Sequence, residues 1–120
     1  MDDMRDYKVH WSSPVSVHLN SINATLFSNP PPASGALMAY ILNILDNFDI
    51  KENDVDDLPL LYHRMTEAFK WAFARRTLLG DPQGDESIAD IVNNLVKNIT
   101  SEWQAEMTSR NIKGNGAIEL

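Results

Sequence analysis

The sequence predicts an α+β chain, mainly helical, with a short β element at its N-terminus. Three observations carry that prediction. Apolar residues alternate with polar ones at Tyr7, Val9 and Trp11 and again at Val15, Val17 and Leu19, and period two marks half-buried strands. From about residue 35 the apolar spacing changes to three and four, the period of a helix buried along one face. Prolines, glycines and acidic runs then divide the helical region into four segments.

Taken in order, Pro14 separates the two alternating runs, because proline interrupts a central strand. Asn20 to Asn23 is turn-like, and Ala24 to Phe27 reads as a return strand. Pro30, Pro31 and Pro32 end it, since none can donate to a sheet ladder. Ser34 can cap the helix that follows, and Gly35 allows close backbone approach. That helix has one apolar face, made by Leu37, Tyr40, Ile41, Ile44, Leu45 and Phe48. Asp49 to Asp57 is an acidic connection.

The longest helix is expected from Leu58 to Leu79, with Tyr62, Ala68, Phe69, Ala72 and Phe73 at helical spacing. Trp71 and Leu78 widen its apolar surface, so burial on more than one side is expected. Gly80 is the expected C′ residue, and Pro82 blocks continuation. A third helix spans Glu86 to Lys97 with Ile88, Ile91, Val92, Leu95 and Val96 inward. Ser101 and Gln104 have capping-box spacing for a fourth, and Lys113 to Gly116 reads as a loop. A hairpin alone is marginal in water, and the chain stops on an apolar GAIEL. Residues 1–120 therefore read as part of a larger domain.

Composition excludes several functions. A net charge of −7 without a basic stripe argues against nucleic-acid binding. The absence of cysteine removes disulfides, Cys-type zinc sites and thiol catalysis. No stretch has the roughly 18–20 apolar residues of a membrane span, and the N-terminus has no signal-peptide pattern. Read with Met1 as a true start, the chain would be cytosolic.

Candidate chemistry is sparse. His10, His18 and His63 lack metal-ligand spacing. The acid pairs Asp46/Asp49, Asp56-Asp57 and Asp85-Glu86 read as lying in connections and at helix starts, where solvation and the helix dipole favour acids. No G-x-S-x-G, Walker A or dinucleotide motif occurs. Arg75 and Arg76 suit the end of their helix and read as structural ion-pair residues, with Asp81 a partner or a local turn-former. Asn23-Ala24-Thr25 and Asn98-Ile99-Thr100 match the N-glycosylation acceptor pattern. The residues alone leave NPPPASG, 29–35, open between a linker and a wall of a site.

Two stretches together resemble one family. PPPASGALMAYILNILDNFDI, residues 30–50, and YHRMTEAFKWAFARRTLLGDP, residues 62–82, are similar to large-subunit segments of γ-glutamyltransferases, also called glutathione hydrolases. That family shows P-P-x-S-G before an L-N-I-L-like helix, then H-x-x-x-E-A-x-(K/R)-x-A-(F/Y)-A-x-R closing on L-G-D-P. Pro31, Pro32, Ser34 and Gly35 match the first motif, with Leu42, Asn43, Ile44 and Leu45 behind it. His63, Glu67, Ala68, Lys70, Ala72, Phe73, Ala74 and Arg76 match the second. Leu79, Gly80, Asp81 and Pro82 match its close. DMRDYKVHW and NITSEWQAEM resemble the flanking segments.

The resemblance implies a piece of an αββα N-terminal-nucleophile hydrolase sandwich. Such precursors cut themselves in two, and the new N-terminal threonine of the small subunit attacks the γ-glutamyl amide with its own amine as base. That threonine lies downstream in a G-T-x-H-(L/I)-S-V-like motif, and the arginine that grips the substrate carboxylate lies upstream. No catalytic, substrate-binding or metal residue is therefore assigned in this chain, and this chain alone is expected to be inactive. Pro31, Pro32, Ser34, Gly35, Glu67, Arg76, Gly80, Asp81 and Pro82 read as structural motif residues. NPPPASG becomes a rigid strand-to-helix junction, with lining of the substrate entrance as the alternative.

The implied partners are the rest of the large subunit and the small subunit of the same precursor. The implied substrate of the whole enzyme is glutathione, with no cofactor. The implied location is the extracellular face of the plasma membrane, through an anchor outside these residues, which the sequons at Asn23 and Asn98 fit. The rival readings are a truncated non-catalytic paralogue acting as a helical interaction module, and an unrelated small helical module.

Overall fold

The computed structural model describes residues 2–48, 50 and 57–115. A four-residue helix, α1 (Asp2–Arg5), is followed by an irregular exposed segment. The strand expected over Tyr7, Val9 and Trp11 does not form, and their exposures are 74%, 66% and 94%. Alternation creates a strand only where a partner edge supplies hydrogen bonds and an apolar face, and no described strand lies beside this segment.

The second run behaves as its pattern requires. β1 (Val15–Leu19) pairs antiparallel with β2 (Ala24–Ser28), Val17 opposite Leu26 and His18 opposite Thr25. Val15, Val17 and Leu19 are buried while Ser16 and His18 face solvent. The turn between the strands ends at Asn23, whose φ of 49° lies in the left-handed region that asparagine tolerates.

The next helix is α2 (Gly35–Asp46). An acid in its last turn opposes the helix dipole, and a tertiary contact accounts for it. The Asp46 carboxylate accepts the Asn20 N–H at 2.6 Å, the Ser21 N–H at 3.0 Å and the Ser21 hydroxyl. It thereby ties the hairpin turn to α2. Asp46→Ala should cost about 1–3 kcal/mol by stripping a charged acceptor from those donors. Urea unfolding of the variant checks this, and an unchanged midpoint would show that water replaces the carboxylate freely.

Between β2 and α2 the chain turns through Pro30 to Ser34, and the Pro31–Pro32 peptide bond is cis. Ser34 occupies the N-cap but its hydroxyl makes no capping bond. Its φ of −85° and ψ of 16° depart from the extended geometry typical of a capping residue. Gly35 does carry the expected close approach. A Cβ there would stand 2.6 Å from the Asn29 nitrogen and 2.5 Å from Ser28 Oγ, and nearer still to the Asn29 carbonyl oxygen.

α3 (Leu58–Arg76) starts at Asp57, whose carboxylate accepts the Leu60 N–H at 3.3 Å, with Pro59 in the first turn. It stops three residues short of Leu79. The Leu78 and Leu79 N–H groups bond the carbonyls of Arg75 and Arg76 at 3.1 and 3.0 Å, a tighter closing turn than an α-helix makes. Gly80 is consequently not a left-handed C′ residue, and no described glycine has positive φ. Nor is α3 buried on several sides. Only Ala68 and Ala72 are fully covered, while Tyr62 and Phe73 are 63% and 57% exposed.

α4 (Glu86–Ile99) runs two residues past Lys97. Val92 and Ile99 point inward, but Ile91, expected inward, is 60% exposed. α5 (Glu102–Asn115) continues through Lys113 and Gly114, where a loop was expected, and Gly116 lies outside the described residues. Ser101 Oγ accepts the Gln104 N–H at 3.2 Å. The Gln104 amide turns instead to Thr108 Oγ1 at 3.3 Å and the Tyr40 hydroxyl at 3.5 Å, so only half of a capping box forms.

α2 is the centre of this α+β arrangement, touching both strands and α3, α4 and α5. Tyr40 and Ile44 of α2 are fully buried, as are Ile99 and, nearly so, Ile112. Tyr40 carries its hydroxyl into the core, where Thr108 Oγ1 meets it at 2.6 Å, as a buried polar group requires. The radius of gyration is 17.1 Å, against about 14 Å for a compact domain of this length. The extents of 58 × 27 × 26 Å show an elongated body.

Candidate functional site

An apolar concavity of about 560 Å³ lies between α2 and α3. Leu37, Met38, Ile41 and Leu42 form one wall. Phe69, Phe73 and Arg76 form the other, with Ser34 also lining it. The helical period puts these residues on facing stripes. The Arg76 guanidinium stands 5.7 Å from the Phe73 ring centroid, within cation–π range. Among the described residues no carboxylate lies within ion-pair distance of Arg75 or Arg76.

A second cleft of about 440 Å³ runs between the strand ends and α4. Pro14, Pro30 and Pro31 line one side, and Asn93, Lys97 and Thr100 the other. The proline junction thus separates the two concavities, with Pro31 on one and Ser34 on the other. A third, smaller site brings His63 and Arg64 near Phe48 and Lys113. Arg64 and Lys113 lie 4.9 and 5.2 Å from the Phe48 ring, and Lys113 Nζ donates to the Asn47 carbonyl at 3.1 Å.

The motif residues divide among these places. Glu67 pairs with Lys70 at 2.7 Å along one face of α3, the i,i+3 spacing of a helix pair. Gly80 meets α4, since a Cβ there would run into the terminal methyl of Ile88. Asp81 forms the turn between α3 and α4, accepting the Gln83 N–H at 3.0 Å on its side chain and the Asp85 N–H at 3.2 Å on its carbonyl. Pro82 sits in that turn.

The remaining acids and histidines are dispersed. Asp49 and Asp56 lie outside the described residues. His18 Nδ1 is 3.2 Å from Thr25 Oγ1 on the outer face of the hairpin, and His10 is in the irregular segment. Among the described residues no group of three His, Cys, Asp or Glu could hold a metal ion. The Asp46 tie to the turn and the Tyr40–Thr108 contact were not anticipated. The first had a signal, an acid at a helix C-terminus, but its partner was not readable from the chain.

Asp85 caps α4, accepting the Ser87 hydroxyl at 2.6 Å and the Ser87 N–H at 2.9 Å. The Ser87 hydroxyl, then its backbone N–H, hold the carboxyl below its ordinary value of 3.8. A depressed folded pKa stabilises above the unfolded value and loses that contribution as pH falls through the folded one. NMR titration of Asp85 should give a midpoint below 3.8. Ser87→Ala should raise it toward the ordinary value, and an unmoved midpoint would refute the cap's electrostatic role.

The described residues thus form a packed helical platform with an apolar groove between α2 and α3. Residues 1–119 match the family model described as Gamma-glutamyltranspeptidase. Scoloptoxin SSD14 of Scolopendra dehaani is 32% identical over 98% of the chain and 20% of its own length. Glutathione hydrolase 5 proenzyme of Rattus norvegicus is 35% identical over 82% of the chain and 17% of its own length. Glutathione hydrolase proenzyme of Escherichia coli K12 is 37% identical over 68% and 14%. The chain belongs to the γ-glutamyltranspeptidase family, and it spans between 14% and 20% of the length of these relatives.

Proposed function

We propose that these residues are a large-subunit segment of a γ-glutamyltransferase, or glutathione hydrolase, precursor. The whole protein would cleave the γ-glutamyl amide of glutathione and pass the γ-glutamyl group to water or to an amino-acid or peptide acceptor. The observation that carries this reading is the family match across residues 1–119. Relatives whose printed names are glutathione hydrolase add to it. They do not favour the reading as a non-catalytic interaction module.

The segment's part in that chemistry would be support. The threonine nucleophile, acting through its own amine, would come from the small subunit. The hairpin and α2 would join the sandwich of an N-terminal-nucleophile hydrolase, and the apolar groove between α2 and α3 would face the rest of the precursor. Relatives about five times as long leave ample chain to cover Phe69 and Phe73. The whole protein would work outside the cell at the plasma membrane. Among the described residues no helix is long and apolar enough to cross a membrane.

Expression of the full open reading frame tests the proposal. The expected result is a precursor that splits into two chains and releases the chromophore from a γ-glutamyl anilide, while residues 1–120 alone release none. A precursor that stays in one piece and leaves the anilide intact would overturn it.

A further inference from the structure

We propose that the groove between α2 and α3 seats a single helix of the same precursor, from outside residues 1–120. That helix lays an apolar face on Phe69 and Phe73 and presents an aspartate or glutamate to Arg76. The inference rests on the precursor reading above and deepens it by naming what meets the groove and how.

Met38, Ile41 and Leu42 of α2 stand across the groove from Phe69, Phe73 and Arg76 of α3. Met38, Phe69 and Phe73 are exposed, and Ile41 and Leu42 are half-buried. Contiguous apolar area of this kind marks a surface that another surface covers. From Phe69 to Arg76 the wall runs two helical turns, about 10 Å. Ser34 and Arg76 bring the polar side chains of this lining. An extended segment laid there would bury N–H and C=O groups with few partners to meet them. A helix satisfies its own, so the fitting occupant is a helix with apolar residues three and four apart.

Arg76 sets the charge of that helix. Its guanidinium is 5.7 Å from the Phe73 ring centroid, and among the described residues no carboxylate lies within ion-pair distance of it. Arginine keeps its charge at any working pH, and covering a charge that has no counter-ion is strongly unfavourable. A helix that closes the groove therefore has to bring a carboxylate. Length assigns the helix to the same polypeptide. Relatives are about five times as long, and a tethered helix meets the groove at an effective concentration that a separate protein does not match.

The full precursor should be produced with p-benzoylphenylalanine in place of Phe73 and, separately, of Met38, then irradiated, digested and mapped by mass spectrometry. The expected result is that both probes join one stretch outside residues 1–120 of the same molecule. Apolar residues recur three and four apart in that stretch, with an aspartate or glutamate among them. Products heavier than one precursor, links scattered over unrelated stretches, or no link would each overturn the proposal. Charge exchange then tests the pair. Arg76→Glu should lower both the urea midpoint of the precursor and the yield of the link, and changing the opposed acid to lysine in the same molecule should recover both. Arg75→Glu, at a neighbour that does not line the groove, should leave the link in place. No loss in Arg76→Glu, or a loss that the exchange leaves uncorrected, would overturn the proposal. The same preparations are assayed for splitting and for release from the γ-glutamyl anilide. A precursor that carries the link but stays whole and inactive would uphold the groove and overturn the γ-glutamyltransferase reading. A split, active enzyme without the link would do the reverse.

Discussion

Gly35→Ala should destabilise the chain by about 3 kcal/mol, at the upper end of the usual cost of overpacking. The added Cβ meets the Asn29 backbone nitrogen at 2.6 Å, Ser28 Oγ at 2.5 Å, and the Asn29 carbonyl oxygen closer still. Two of those three atoms are backbone and cannot rotate away. Either the end of β2 or the start of α2 must move, and α2 is the element that every other large element packs on. Two other glycines make the control. At Gly80 the Cβ meets only the end of the Ile88 side chain, and φ is not positive. Gly80→Ala should therefore cost less than about 1 kcal/mol, the price of a rotamer shift. At Gly114, in the last turn of α5, nothing lies within 4 Å. Gly114→Ala should stabilise by roughly 0.5 kcal/mol through helix propensity. Urea midpoints should therefore rank Gly114→Ala above the parent, then Gly80→Ala, then Gly35→Ala. A Gly35→Ala midpoint level with Gly80→Ala would mean that the junction is looser than its geometry.

Ile44→Ala should cost about 2–5 kcal/mol, the range for removing a large side chain from a closed core. Ile44 is wholly inaccessible, in the last turn of α2. The neighbours that would have to collapse into the cavity belong to several elements at once, which limits relaxation. Ile91→Ala is the informative companion. Both isoleucines fall on an apolar helical stripe of the sequence, yet Ile91 is 60% exposed. Its truncation should cost no more than about 0.5 kcal/mol, as for surface positions generally. Equilibrium denaturation of both variants reads the difference. If Ile91→Ala in the whole precursor proved as costly as Ile44→Ala, α4 would have a cover contributed by the rest of the protein. The two results together would then map which apolar stripe is internal to this segment and which is shared.

Much of the architecture is local and was readable for that reason. Spacing of three and four along Leu37, Tyr40 and Ile44 is a property of one helix. The caps of Asp57 on Leu60 and of Asp85 on Ser87 are as local, although the sequence reads only as acids at those places and not as caps. The antiparallel hairpin depends on neighbouring residues and on a turn that asparagine tolerates at Asn23. The family motifs are likewise runs of adjacent residues, which is why Pro31, Pro32, Ser34, Gly35 and the Leu79 to Pro82 close could be recognised in order. In each case the deciding contacts lie within a few residues of one another.

Where the partner is distant, the chain does not announce it. Tyr7, Val9 and Trp11 have the alternation of a strand, but a strand exists only beside another edge, and none of the described strands offers one. Phe69 and Phe73 have the spacing of core residues, but burial needs an opposing surface, and on α3 only Ala68 and Ala72 are fully covered. The end of α3 was set by a closing turn at Arg75 and Arg76 in place of the glycine that local preference favours. Asp46 reaches a turn 25 residues away, and Tyr40 finds Thr108 across 68. The sequence by itself determined the helical periods, the hairpin, the junction glycine and the family. Only the tertiary structure decided which apolar faces close, because closing a face requires a second surface brought in from elsewhere along the chain.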